Sequence, residues 1–177
     1  MAPGNTRGSL PRWLKLANHV VVALQRLGMR TGTIHVLTVR GRTSGTMRST
    51  PVSMLTVAGT RYLIGGMADA DWVQNVRTAG WGILAQGRHS ERVTLTELPV
   101  EERAAILREF PRRVPAGVFY FRRLYTLPDD PAALPEAFAG LATRATVFRV
   151  ERAPAESSSA SASDPPAVGR SDSSDRP

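Results

Sequence analysis

Positive charge and small hydroxyl side chains are concentrated in one short stretch of the chain, VRGRTSGTMRSTP, at residues 39–51. It contains Arg40, Arg42 and Arg48 together with two glycines and five serine or threonine hydroxyls. Glycine allows backbone conformations closed to other residues, and successive amides in such a turn form anion-binding concavities. Arginine adds a planar cation that matches phosphate or carboxylate oxygens. The stretch therefore predicts an anion-binding turn, with an ordinary hairpin that carries surface arginines as the alternative.

Several other kinds of chemistry are disfavoured by the sequence. The chain has no cysteine, which excludes disulfides, thiolate nucleophiles and iron–sulfur clusters. His19, His35 and His89 lack metal-ligand spacing, so no metal site is predicted. The segment GRTSGT at residues 41–46, called the glycine turn below, is not a Walker phosphate loop, because it lacks the Gly-Lys-Ser/Thr ending and no helix follows it.

The overall charge points to an anionic partner. The net charge is +8, although the last 24 residues are slightly acidic. Nucleic acid, a lipid surface and a phosphorylated small molecule are the three candidate partners. Aromatic residues make up only 6% of the chain, with no row of them alternating with basic residues, which disfavours single-stranded nucleic acid.

The elements that would position the turn are short strands with few helices between them. Alternating apolar residues and glycine turns predict the strands, and three- and four-residue apolar spacing predicts the helices. The predicted strands are 33–39, 50–59, 59–66, two within 81–98, and 145–153, and the predicted helices are 11–28, 69–80, 99–111, 114–127 and 131–142. Six strands joined mostly by hairpins predict a mainly β, α+β fold, a closed or half-closed antiparallel barrel.

Helix-end signals predict two boundaries. Asp69 or Asp71 is expected to cap the helix at 69–80, and Pro111 is expected to stop the helix at 99–111. Composition divides the chain into a flexible N-terminus at 1–9, one cofactor-binding domain at 10–152, and a disordered Ser/Pro/Asp-rich tail at 153–177.

Localisation is predicted to be cytoplasmic, since no signal peptide or membrane-spanning run is recognised. The amphipathic segment at 11–28 could contact a membrane surface. Packing of that helix on its own domain is the favoured alternative.

The segment LTVRGRTSGTMRSTPV, at residues 37–52, resembles the Gly-Arg-Lys-Ser/Thr-Gly…Arg…Thr-Pro signature of the deazaflavin-dependent nitroreductases, also called actinobacterial quinone reductases. Segments 12–28, 71–80 and 98–111 resemble the family's leading helix, its Trp-containing helix and a later helix. The resemblance spans about residues 10–150 and thins after Pro111. It implies a split β-barrel of the FMN-binding-like kind. It also implies a hydride transfer from reduced coenzyme F420, an 8-hydroxy-5-deazaflavin with an acidic tail, to a quinone, nitro compound or activated alkene.

The resemblance also implies roles for particular residues. Two tyrosines are the nearest equivalents of side chains that contact the acceptor and are the catalytic candidates, with packing or solvent proton donation as the alternatives. The implied cofactor-binding residues fall into groups at the acidic tail, along the ring and on its other side. The tail group is Arg42, Thr43, Ser44, Gly45 and Arg48; the ring group is Thr50, Pro51 and Val52; the opposite group is Ile64, Gly65, Gly66, Met67 and Ala68, with Trp72 and Asn75 nearby; the tyrosines are Tyr120 and Tyr125.

Three alternatives remain open. Thr43 stands where the family usually has lysine, and segment 65–71 is acidic, so FMN is the alternative cofactor and a non-catalytic split barrel the alternative protein. A basic barrel that binds nucleic acid is a further possibility. The expected partner is a small-molecule hydride acceptor rather than nucleic acid, and the chain is expected to be a monomer or a homodimer.

Overall fold

The computed structural model describes residues 32–154, and the predicted helix at 11–28, the N-terminus at 1–9 and the tail from 155 onward lie outside the described residues. Six strands and four helices make up this part of the chain. The strands are β1 (Ile34–Arg40), β2 (Met47–Val57), β3 (Thr60–Gly65), β4 (Trp81–Gln86), β5 (His89–Glu97) and β6 (Thr146–Arg152). The helices are α1 (Asp71–Ala79), α2 (Val100–Arg113), α3 (Pro115–Arg122) and α4 (Leu134–Ala139).

The strands form a closed antiparallel barrel in the order β1-β2-β3-β6-β5-β4. The barrel closes because β1 pairs with β4, where Thr38 lies opposite Ile83. On its other edge β1 pairs with β2 from Ile34 to Arg40. The predicted split-barrel α+β fold is thus confirmed, and β1 and β2 hold the glycine turn at one end of the barrel.

Two tight turns explain why the hairpins were visible in the sequence. Ala58 and Gly59 link β2 to β3, and both have positive φ, +47° and +80°, as in a type I′ turn. Gly87 begins the two-residue link from β4 to β5 with φ +60°, as in a type II′ turn. Both turns match the right-handed twist of the flanking strands, so they fix the register on either side.

Besides the apolar interior of the barrel, a second apolar core lies between the barrel and helices α2–α4. The rings of Phe110, Phe121 and Phe138, one from each helix, have centroids 4.9–5.3 Å apart. All three rings are buried, and Leu55 of β2 belongs to the same cluster. This packing holds α3 against the barrel, and α3 carries one of the predicted catalytic tyrosines.

A buried arginine ties α2 to the barrel. Arg103 is 8% exposed and donates from Nε to the Leu98 carbonyl at 2.8 Å and from Nη1 to the Ala145 carbonyl at 3.0 Å. Its Nη2 donates to Glu97 at 2.9 Å, and Arg77 of α1 donates twice to the same carboxylate at 2.7 Å. These hydrogen bonds hold the pKa of Glu97 below its usual range, and the hydrogen bond from Arg77 has the largest effect. Burial acts in the opposite direction.

Two predicted helix boundaries are wrong. Pro111 lies inside α2, which continues to Arg113, because a proline in the last turn removes one hydrogen bond without ending the helix. The residue before α1 is Ala70, and neither Asp69 nor Asp71 makes a side-chain cap. Asp71 instead faces an arginine of the glycine turn.

Candidate functional site

The glycine turn is a compact loop of six residues between β1 and β2. The Gly41 N–H donates to the Thr46 carbonyl at 2.9 Å, and the Gly45 N–H donates to the Gly41 carbonyl at 2.9 Å. The Thr46 N–H donates to Ser44 Oγ at 3.3 Å. Gly45 has φ +67°, a conformation that glycine adopts without strain. The residue types of the turn therefore fix its shape before any ligand binds.

Arg42 clamps the turn to α1. Its backbone N–H and its Nη1 both donate to Asn75 Oδ1, each at 3.1 Å. Asn75 is buried, and Arg42 also donates to the Asp71 backbone carbonyl at 3.2 Å and to Asp71 Oδ1 at 3.0 Å. The sequence-predicted residues Arg42 and Asn75 are thus brought together. Asp71, the first residue of α1, therefore offsets the charge of Arg42.

Arg40 and Arg48 are the cations that the turn leaves without a carboxylate partner within residues 32–154. A Cβ built on Gly45 would lie 3.4 Å from an Arg40 guanidinium nitrogen, so that side chain lies over the turn. The stem of Arg48 lies 3.6 Å from the equivalent position on Gly41. Two uncompensated positive charges therefore flank the turn on its own strands.

A cavity of about 610 Å³ opens beside the turn. Its walls come from the end of β1, the turn, the C-terminal end of α1 and the start of β4, and no acidic residue is among them. The lining residues are Arg40, Gly41, Arg42, Thr43, Ser44, Gly45, Thr78, Ala79 and Trp81. Guanidinium groups, hydroxyls and backbone amides in one concavity suit a phosphate or carboxylate group.

Thr78, Ala79 and Trp81 were not among the residues expected at the site. They reach it because α1 ends beside the turn and because β4 pairs with β1. Strand pairing between segments more than 40 residues apart leaves no local sequence signal. Arg40 lies within the basic stretch at residues 39–51, and the density of arginines in that stretch was the sequence signal for this residue.

The end of β3 is covered by side chains from α1, from α3 and from the segment that follows α3. A Cβ built on Gly65 would lie 3.0 Å from both Trp72 and Val73, and one built on Gly66 would lie 2.7 Å from Leu124 and 3.0 Å from Tyr120. The sequence-predicted residues Ile64, Gly65 and Gly66 are buried in this way, and Met67 and Ala68 are half-buried. A cofactor could contact the two glycines only after these side chains move.

The two tyrosines lie against this covered segment, and their hydroxyls differ. The Tyr125 O–H donates to the Gly66 carbonyl, whereas the Tyr120 O–H has no hydrogen-bond partner within the described part of the chain. Burial raises the pKa of Tyr120, and the nearby Tyr125 adds to the effect. Burial also raises the pKa of Tyr125, against the lowering effect of Arg144, whose guanidinium lies 4.7 Å from its ring. Both phenols are therefore protonated at neutral pH, and Tyr120 retains a hydroxyl that is available to donate.

Strand β2 connects the two regions. Thr50 lies opposite Leu37 of β1, while Ser53 lies opposite Ile64 of β3. Between them Pro51 is half-buried and Val52 is buried. The cavity lining includes neither the 64–68 segment nor the tyrosines, so the structure groups the predicted residues into two sets joined by one strand.

Within residues 32–154, no group of three histidine, aspartate or glutamate side chains is placed to hold a metal ion. None of the helices in this part of the chain is long and apolar enough to cross a membrane.

No protein-family model and no curated protein matches the chain. Its fold is similar to several solved structures. One is described as a domain-swapped dimer, at 18% identity and a TM-score of 0.48, over 78% of this chain and 97% of that one. Another is an F420-H2 dependent reductase, FDR-A, at 20% identity and a TM-score of 0.44, over 67% of this chain and 94% of that one. A third is PhzG from Burkholderia lata 383 in complex with tetrahydrophenazine-1-carboxylic acid, at 13% identity and a TM-score of 0.44, over 84% of each chain.

These neighbours include a reductase of the kind that the sequence resemblance indicates. Likenesses of this strength extend to overall fold and carry no argument about activity.

Proposed function

We propose that this protein is an oxidoreductase that binds coenzyme F420 and passes a hydride from its reduced form to a quinone, a nitro compound or an activated alkene. The observation that supports this most is the cavity of about 610 Å³ beside the glycine turn, with the uncompensated Arg40 in its wall. The resemblance of residues 37–52 to the family signature supports it independently.

The residues present suit the acidic part of such a coenzyme. Arg40 and Arg48 supply charge that no carboxylate in residues 32–154 neutralises, and Thr43 and Ser44 are exposed hydroxyl donors at the cavity. Charge-assisted hydrogen bonds of this kind contribute about 1.5–3 kcal/mol each where water is excluded. Thr43 stands where the family usually has a lysine, and in our proposal Arg40 supplies the positive charge that this lysine would carry. In our proposal Arg42, which is engaged by α1, positions the turn, whereas Arg40 and Arg48 bind the anionic part of the coenzyme.

When bound, the reduced coenzyme supplies the hydride, and the protein supplies binding, orientation and a proton. In our proposal Arg40 and Arg48 hold the anionic tail, while the Asn75–Arg42 clamp keeps the turn in its binding shape. Reduction of a quinone or activated alkene leaves negative charge on the product, which a neutral phenol can meet with a hydrogen bond or a proton. Tyr120 is the better candidate because the Tyr125 hydroxyl is already bonded to Gly66.

The proposal is tested by fluorescence titration of the protein with coenzyme F420 and, separately, with FMN. We expect F420 to bind, and Arg40→Ala and Arg48→Ala each to weaken it by about tenfold, since both arginines are partly exposed. Arg88→Ala removes the same charge from the exposed β4–β5 turn and is the matched control. Absence of F420 binding, or equal weakening by all three variants, would contradict the proposal.

Turnover is tested by following oxidation of reduced F420 with one quinone, one nitro compound and one activated alkene as acceptors. Tyr120→Phe should lower turnover while leaving F420 affinity unchanged. Tyr125→Phe should act mainly on stability, because it removes a hydrogen bond to the backbone. Binding of FMN in place of F420 would favour the alternative, an FMN-dependent or non-catalytic split barrel.

A further inference from the structure

A buried hydroxyl in the barrel makes no hydrogen bond. Thr146, the first residue of β6, is fully buried, and its Oγ1 is enclosed without a partner among residues 32–154. A hydroxyl enclosed in this way destabilises a fold, whereas valine has nearly the same shape and carries no such cost. The hydroxyl is therefore a feature that folding alone disfavours.

The backbone on either side holds Thr146 in place. The Ala145 carbonyl accepts a hydrogen bond from Arg103 Nη1 at 3.0 Å, and the Val147 carbonyl accepts one from the Leu98 N–H at 2.9 Å. Both neighbours of Thr146 are themselves fully buried. A backbone shift that carried the hydroxyl to solvent would break these bonds, so the side chain stays where the strand places it.

The hydroxyl faces the inside of the barrel. Val147 belongs to the second apolar core, whereas Phe148 belongs to the apolar interior of the barrel. Thr146 lies two residues before Phe148 and shares its face, because side chains alternate along a strand. Gly65 of β3 is paired with Thr146, so the position of its missing side chain faces the same way.

The space beside Thr146 is closed by side chains of α1. A Cβ built on Gly65 would lie 3.0 Å from Trp72 Cζ2 and 3.0 Å from Val73 Cγ2. Val73 is fully buried, whereas Trp72 is half-buried and packs on Phe148 with the ring centroids 5.8 Å apart. Because Trp72 lies at the rim, rotation of this one indole would uncover both the glycine and the hydroxyl.

We propose that Thr146 contacts the ring of the coenzyme, whose binding displaces Trp72 and brings a polar edge of the ring to Thr146 Oγ1. A hydroxyl both donates and accepts, and a deazaflavin ring has carbonyl oxygens and an N–H at its edge. The missing side chain at Gly65 leaves room for a ring close to the strand. This inference rests on the proposed function and adds to it a contact on β6.

Helix α1 connects this position to the rest of the site. Trp72, at the start of the helix, covers Thr146, while Thr78 and Ala79, at its end, line the cavity beside the glycine turn. A coenzyme whose tail lies in that cavity and whose ring reaches Thr146 would therefore follow α1 along its length.

The test compares Thr146→Val with Thr146→Ser by urea denaturation and by fluorescence titration with coenzyme F420. Valine should raise the urea midpoint, because the unpartnered buried hydroxyl is lost, and should weaken F420 binding by about tenfold. Serine keeps the hydroxyl and should retain most of the affinity. Thr96→Val makes the same change at an exposed position of β5 and is the matched control, which should bind F420 as the unaltered chain does.

The proposal requires that valine change stability and affinity in opposite directions. A raised midpoint with unchanged affinity would show a hydroxyl that acts on the fold alone, and a lowered midpoint would show one that is bonded to an enclosed water. Equal weakening by valine and serine would show that the hydroxyl is not the contact. Each of these results would overturn the inference while the unaltered chain still binds F420, whereas absence of that binding would contradict the proposed function itself.

Discussion

Replacing Asn75 with leucine is expected to detach the glycine turn from α1. Asn75 is 7% exposed, and its Oδ1 accepts two hydrogen bonds from Arg42, each of 3.1 Å. Leucine has a similar volume and no acceptor. The backbone bond contributes about 1 kcal/mol, and the guanidinium bond about 1 kcal/mol after allowance for the partial exposure of Arg42. Asn75→Leu should therefore lower the free energy of unfolding by about 2 kcal/mol.

The measurement is urea denaturation of the unaltered chain and three variants. Asn75→Asp keeps an oxygen acceptor facing Arg42 and should stay within about 1 kcal/mol of the unaltered chain, because the arginine offsets the buried charge. Asp71→Ala removes only the contact to a side chain that is 90% exposed, and should cost less than about 0.5 kcal/mol. The reasoning is refuted if Asp71→Ala costs more than Asn75→Leu, or if aspartate destabilises as much as leucine.

Three further predictions concern stability. Arg103→Met should lower the free energy of unfolding by about 2–4 kcal/mol, because it leaves two backbone carbonyls without their hydrogen-bond donor. Arg108→Met, which removes an exposed ion pair, should have a much smaller effect. Equal losses of stability in parallel urea melts would argue against this prediction. A hydrogen bond from Arg77 holds the pKa of Glu97 low, so its stabilisation is present above the unfolded-state pKa of about 4.3 and is lost as pH falls through the folded value. The difference in unfolding free energy between the unaltered chain and Glu97→Gln should therefore shrink below about pH 4, and a constant difference down to pH 3 would count against it. Ala58→Gly should raise the free energy of unfolding by about 1 kcal/mol by relieving a positive φ of +47°, and a loss of stability would contradict this.

The barrel could be predicted from the sequence because its signals are local. Strands alternate in polarity, and Gly59 and Gly87 stand where two-residue turns need positive φ. The end of α2 was misplaced because Pro111 lies buried in the last turn of the helix, where a proline removes one backbone hydrogen bond without ending the helix.

The site was predictable only in part, because some of its sequence signals are local and others depend on distant segments. The density of arginines in residues 39–51 is a local signal that predicts an anion-binding turn, and a cavity lies beside that turn in the structure. The division of labour among those arginines is not local, because Arg42 is engaged by α1, which lies about 30 residues further along the chain. Coverage of Gly66 by Tyr120 likewise depends on how α3 packs, which no pattern within either segment reveals.

A crystal structure of this protein with coenzyme F420 bound tests the central claim most directly. We predict an anionic oxygen of the coenzyme in the cavity beside the glycine turn, within about 3.2 Å of an Arg40 guanidinium nitrogen, and another within the same distance of Arg48, which lies outside the cavity lining, while Arg42 keeps its bonds to Asn75. A coenzyme bound elsewhere, or bound with both strand arginines directed into solvent, would contradict the account.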